Sequence, residues 1–457
     1  MTPLGCALAL LLPGVGRTEA HHLSPGPAGS LQAAIDVATA GDTITLLSGV
    51  YAGSLRLEKR LTLIGNGEAV IRGDGIGSTI TILADNVTIT GLNIEHCGRS
   101  LADDDAGMMI RADNCRISNN HLTDVLFGIY FYSADSCIVD GNRIFGRDSL
   151  EFGERGSGLH LWDSHYNQIS NNQITAVRDG FYVQNSNRTI FTRNVVTNVR
   201  YGLHYMYSDN NSFLNNIFTG NIAGAAVMYS DGIVIRGNRF LHNRGFSSFG
   251  ILFQDCSGLE VDSNLIADNV IGMFFEATRN SRIENNIIAG NDVALQMFQN
   301  STGNSIYNNN FIDNCNPLII VGKRTGSSWN VQGRGNYWSA YKGYDLDEDG
   351  VGDIPMKIHN VFEYIEGRYP LIRLYLYSPA SQALALATEA FPIFDLNEEE
   401  DNFPLMKPIA CGIEESPDKN DLQSEGRSGR GKKLTLLFVG AAVGGVFLGV
   451  GRRRRPH

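Results

Sequence analysis

Nine asparagines recur through the middle of the chain at a nearly fixed interval: Asn120, Asn142, Asn172, Asn194, Asn216, Asn238, Asn264, Asn286 and Asn309. The steps between them are 22, 30, 22, 22, 22, 26, 22 and 23 residues. A glycine runs in phase at positions that include Gly107, Gly128, Gly158, Gly180, Gly202, Gly224, Gly250 and Gly272. From Gly128 onward each glycine precedes its asparagine by 14 residues. A period of this length marks a solenoid, in which each repeat buries its apolar face only by stacking on its neighbours.

The apolar pattern inside each repeat says what kind of solenoid. One and three residues after the glycine come pairs such as Leu159 and Leu161, Phe181 and Val183, or Leu203 and Tyr205. Alternation with period two reads as a strand with one buried face. A second apolar pair flanks each asparagine, as with Phe191 and Val196 or Phe213 and Phe218. Long helical stretches are missing between them, so the fold class is all-β: a parallel β-helix with rungs of about 22 residues. Asparagine suits a tight corner because it tolerates left-handed backbone, and stacked amides bond to one another. Asn and Gly are therefore expected to be scaffold. The 30-residue and 26-residue steps hold insertions around Gly146–Gly156 and Arg244–Ser248, both between an asparagine and the next glycine. They should leave the coil at one corner.

The ends differ from the coil. Residues 1–25 resemble a signal segment, with an apolar Leu8–Leu12 but no preceding Lys or Arg. The solenoid is expected over 28–330, opened by a capping helix at Ser30–Ala40, with a C-terminal cap over 331–377. Residues 378–431 become acidic and then rich in Gly and Ser, which reads as a flexible tether. Residues 432–455 read as a membrane anchor. The uncharged run Leu434–Gly451 would reach ~27 Å as a helix. Lys432 and Lys433 precede it and Arg452–Arg455 follow, which orients the solenoid outside the cytoplasm. A net charge of −11 argues against nucleic acid as a partner. Among seven cysteines, Cys115 and Cys137 occupy the same place in successive rungs. Neighbouring rungs lie about 4.8 Å apart, which allows a disulfide and equally allows two small buried residues.

Two and four residues after each glycine the side chains should point outward. These columns are rich in aromatics and Met, and include His160, Trp162, Tyr182, His204, Met206 and Met228. His204 and Met206 share one strand face, about 6.8 Å apart, and Met228 lies about 4.8 Å above Met206. Two thioethers and an imidazole suit Cu(I) and suit zinc or magnesium poorly. His160, two rungs below His204, is placed for a second site or a transfer path. Elsewhere Asp345, Asp347 and Asp349, with Gly350 and Asp353, match the first half of a calcium loop, but Met356 stands where a bidentate Glu belongs. Carboxylates on the coil itself (Asp163, Asp179, Asp209, Asp231, Asp255, Glu276) are scattered. A polysaccharide lyase, epimerase or hydrolase would gather them on one face. Such an enzyme, or a glycan-binding coil, is the alternative reading.

The stretches Gly202-Leu203-His204-Tyr205-Met206-Tyr207-Ser208, Gly41-Asp42-Thr43-Ile44 and Gly335-Asn336-Tyr337-Trp338-Ser339 resemble the NosD family. The resemblance covers about residues 28–375. It implies a right-handed β-helix of the type shared with carbohydrate-binding and sugar-hydrolase coils. It implies a periplasmic, non-enzymatic, copper-binding accessory protein in nitrous-oxide reductase maturation. Its partners would be the ATPase and permease of an ABC transporter, a copper-chaperone lipoprotein and the reductase, whose copper–sulfide centre is assembled. The acidic tether and the hydrophobic C-terminal segment depart from that pattern and point to anchorage at the membrane.

Overall fold

The computed structural model describes residues 22–26, 30–246, 248–322, 324–358, 378–379, 383 and 399–411. Each turn of the coil contributes one short strand to each of three parallel sheets. Ile190–Thr192, Val195–Thr197 and Tyr201–Met206 form one such turn, and Ser212–Leu214, Ile217–Thr219 and Ala223–Met228 form the next. Among the described residues the first, second and third sheets hold 13, 13 and 12 strands. All pairings within them are parallel, with a register shift between Thr123 and Val125 where they meet Phe145 and Gly146, and the fold is a right-handed β-solenoid, as expected. Phe191 and Phe213 stack at 4.6 Å, and Phe218 and Phe240 at 5.2 Å. Each fully buried side chain of this size stabilises the coil by about 1.5–3 kcal/mol.

The asparagines do form a ladder. Each Nδ2 from Asn120 to Asn309 donates to the Oδ1 of the next rung at 2.9–3.1 Å. The corner itself differs from expectation. The left-handed residue is the one before each ladder asparagine, such as Asn119, Gly141, Arg193 or Asn215. The ladder asparagine stays buried in ordinary backbone and spends its amide on its neighbours. The glycine column has a separate cause. A Cβ on Gly202 would lie 2.4 Å from Gly224 O and 2.7 Å from Phe218 Cδ1.

The N-terminal cap is a helix over Leu31–Val37, with Ser30 as N-cap and Leu31 and Ile35 buried. Lys59 Nζ donates to the carbonyls of Asp36 and Ala38 at its C-terminal end, at 2.6 and 2.9 Å. Packed chain begins before residue 28: His22–Leu23 pairs with Thr43–Ile44 in the first sheet. The expected Leu8–Leu12 segment lies outside the described residues. The coil also runs past residue 330, because Tyr337–Trp338 adds the last strand of the second sheet.

Residues 399–411 fall within the stretch expected as a tether, yet they pack on the end of the coil. Glu399 and Asp401 are fully buried. Glu399 accepts from Trp329 Nε1 at 2.8 Å, and Asp401 from Trp338 Nε1 at 3.0 Å. Asp401 also accepts from the backbone N–H of Asn336, at 2.7 Å, and so closes the asparagine ladder. The expected span Leu434–Gly451 lies outside the described residues. Among those described, no helix is long and apolar enough to cross a membrane.

Candidate functional site

The third sheet carries the soft-donor patch. In Tyr201–Met206, Leu203 and Tyr205 point into the core, which leaves His204 and Met206 half-buried on the outer face. Met206 pairs with Met228 in register, and His204 pairs with Ala226. The expected juxtaposition of His204, Met206 and Met228 is therefore present in the strand register. His204 Nδ1 lies 3.3 Å from Asp179 Oδ2. Asp179 is fully buried and receives two hydrogen bonds from Arg200, at 2.9 and 2.7 Å. Burial raises the Asp179 carboxyl, but the bonds from His204 and Arg200 outweigh it and hold it below its ordinary value. A carboxylate on Nδ1 orients the ring and leaves Nε2 for a metal, the outer-shell arrangement usual for metal-binding histidines. The donor set thus fits Cu(I): two thioethers and one oriented imidazole nitrogen.

His160 is not part of that set. Tyr182 stands between it and His204 in the stack, with ring centroids 4.3 and 4.9 Å away. The expectation that this column is exposed also fails in part, because Met109, Tyr130, His160 and Ala226 are buried. Phe127 packs edge-on against Tyr130 and His160 at 5.4 and 5.6 Å, and Asp104 bonds to Tyr130. These groups close over His160, while Tyr132 and Arg111 in the neighbouring column of the same face stay exposed.

The remaining sequence candidates lie apart. Ligand oxygens of Asp345, Asp347 and Asp349 all come within 4.8 Å of one another in the C-terminal cap. Asp353 closes that turn by accepting from the Leu346 N–H at 2.7 Å. Asp209 accepts from the backbone of Asp231, a turn role repeated in neighbouring rungs. Asp255 pairs with Arg279, and Glu276 accepts from Gln254. Cys115 and Cys137 are both buried, with Cys115 N 3.4 Å from Cys137 Sγ. The two insertions were expected to leave the coil at one corner, and Phe152 of the first lines one groove with Arg244 and Gly245 of the second.

Some neighbours of the patch escaped the sequence reading. Tyr207 and Tyr229 follow the two methionines, hold left-handed backbone and stack at 5.0 Å while half exposed. The signal was present: Met-Tyr-Ser occurs at 206–208 and again at 228–230, one period apart. Arg178 and Arg200, flanking the buried Asp179, were not singled out either.

Fold and site together define a right-handed β-solenoid with a thioether–imidazole patch on the outer face of one sheet. Solved structures of this architecture include the A-modules of the Azotobacter vinelandii mannuronan C-5 epimerases AlgE6 and AlgE4. Each has a TM-score of 0.55 at 17% identity and covers 65% of this chain, and 92% and 94% of those modules. At that identity the likeness is one of fold. The family model described as periplasmic copper-binding protein (NosD) matches residues 146–343, which contain the whole patch. A Pseudomonas aeruginosa protein named probable ABC transporter binding protein NosD is 36% identical over 89% of this chain and 96% of its own length. The protein of the same name from Stutzerimonas stutzeri is 34% identical over 79% and 86%. The chain belongs to the NosD family.

Proposed function

We propose that this protein handles Cu(I) outside the cytoplasm as an accessory factor for assembling the copper–sulfide centre of nitrous-oxide reductase. The observation that carries the reading is the in-register pair Met206 and Met228 beside His204, whose Nδ1 is held by Asp179. The thioethers and His204 Nε2 would hold the ion as cargo. Half-burial of the patch suits transfer, since a donor or acceptor protein can reach it. The match to a family described as periplasmic and copper-binding supports the location and the metal. The name shared by the relatives supports association with an ABC transporter. In this reading the outer face of the third sheet docks a copper-chaperone lipoprotein and the reductase, and residues 432–455 tether the coil near the permease. The role is that of an assembly factor with no reaction of its own.

The test is Cu(I) titration of the full chain against a chromogenic competitor. Met206→Ala and Met228→Ala should each weaken binding at least tenfold while leaving the melting temperature unchanged. Unaltered affinity in both variants would remove the assignment.

A further inference from the structure

Beside the methionine patch lie two buried polar groups that the copper reading does not use. His160 is 7% exposed, is stacked between Tyr130 at 4.2 Å and Tyr182 at 4.3 Å, and has no partner on either ring nitrogen. The Arg178 side chain is three-quarters buried, and its Nε makes no hydrogen bond. Its ion-pair contact is Nε to Asp179 Oδ2 at 3.4 Å. That carboxylate is already committed to Arg200 and His204. Two guanidiniums therefore share one carboxylate, and one positive charge is left over.

A buried polar group without a partner is uncommon in a folded protein, and a bound ligand is one way to complete its hydrogen bonding. The surplus charge fixes the ligand's sign. A metal cation at His160 is opposed by Arg178; burial first, and then that same charge, pushes the imidazole down to about 3 and so keeps it neutral. A neutral imidazole still donates one N–H. A planar guanidinium fork matches a planar two-oxygen acceptor. The half-buried ring of Tyr182, and Tyr201 stacked on Phe249 at 6.3 Å, offer apolar surface next to these donors.

We propose that Arg178 and His160 form a carboxylate-binding subsite on the outer face of the third sheet. Its ligand is a small monocarboxylate. The guanidinium of Arg178 and one N–H of His160 donate to the carboxylate oxygens, and the body of the ligand lies against Tyr182 and Tyr201. The same contacts serve a simple aliphatic acid or a ring-shaped sugar acid, and the choice of probes separates them.

The experiment follows the histidine ring nitrogens of the full chain by NMR during titration with acetate, galacturonate and uncharged galactose. His160→Phe, which keeps a ring in the stack, assigns the signal. Saturable shifts of the His160 signal with acetate and galacturonate, and none with galactose, support the subsite. At least tenfold tighter galacturonate binding names a sugar acid, and equal affinity names a simple acid. Arg178→Gln should weaken binding at least tenfold, with Arg178→Lys between it and the native chain, while Cu(I) affinity stays unchanged in His160→Phe. No shift with either carboxylate, equal shifts with galactose, or undiminished binding in Arg178→Gln would overturn the proposal. Because Cu(I) binding is measured on the same variants, failure here is separable from failure of the copper site.

Discussion

Replacing Asp401 by Ala tests whether residues 399–411 are part of the folded coil. The native carboxylate accepts from Asn336 N at 2.7 Å, Trp338 Nε1 at 3.0 Å, Phe403 N at 3.1 Å and Asn336 Nδ2 at 3.3 Å. Truncation strands two fully buried donors, the Asn336 N–H and the Trp338 indole. At about 1–3 kcal/mol for each unsatisfied group, the cost is about 2–6 kcal/mol. The lower half of that range is expected, since the site is at the end of the coil and water can enter when the segment lifts. Trp338 provides the readout. It is 2% exposed and stacks on Phe311 at 4.1 Å. Urea unfolding followed by tryptophan fluorescence should show a lower midpoint in Asp401→Ala and a red-shifted native spectrum. Asp401→Asn keeps one acceptor oxygen and should fall between. A native spectrum and midpoint indistinguishable from the parent would refute the docking of this segment.

Two further outcomes are expected. Asp179 has a depressed carboxyl, so the stabilisation it brings is fully present above the ordinary carboxylate value of about 3.9 and is lost as pH falls through its lower folded value. Melting temperatures of the native chain should therefore drop across that acidic window, and Asp179→Asn should be less stable at neutral pH with a flatter acid limb. At the acidic turn, repulsion from Asp349 raises the Asp347 carboxyl, and a divalent cation would relieve it. Millimolar calcium should raise the melting temperature of the native chain but not of Asp347→Asn, as read by scanning calorimetry.

The coil was legible because its period is a property of single residues at fixed steps. Gly202 and Asn216 announce both the close backbone approach and the ladder. The left-handed corner was placed one residue late. Asn-Asn pairs such as Asn119-Asn120 and Asn215-Asn216 do not say which member turns, although Gly141 and Gly237, each before its ladder asparagine, carried the clue. The run from Glu398 to Asp401 reads as solvated charge, because what pairs Glu399 and Asp401 are indoles more than 60 residues away. Met206 and Met228 were brought together by the period alone. The isolation of His160 was not legible, since it depends on Phe127, Tyr130 and Tyr182 closing around a ring that strand alternation places outside.

The most direct test of the copper assignment is X-ray absorption at the copper edge on the Cu(I)-loaded full chain. Two sulfur scatterers and one nitrogen scatterer are expected, with one sulfur lost in Met206→Ala, one in Met228→Ala, and the nitrogen lost in His204→Ala. A shell of nitrogen and oxygen alone, or a sulfur shell unchanged in both methionine variants, would contradict the central claim.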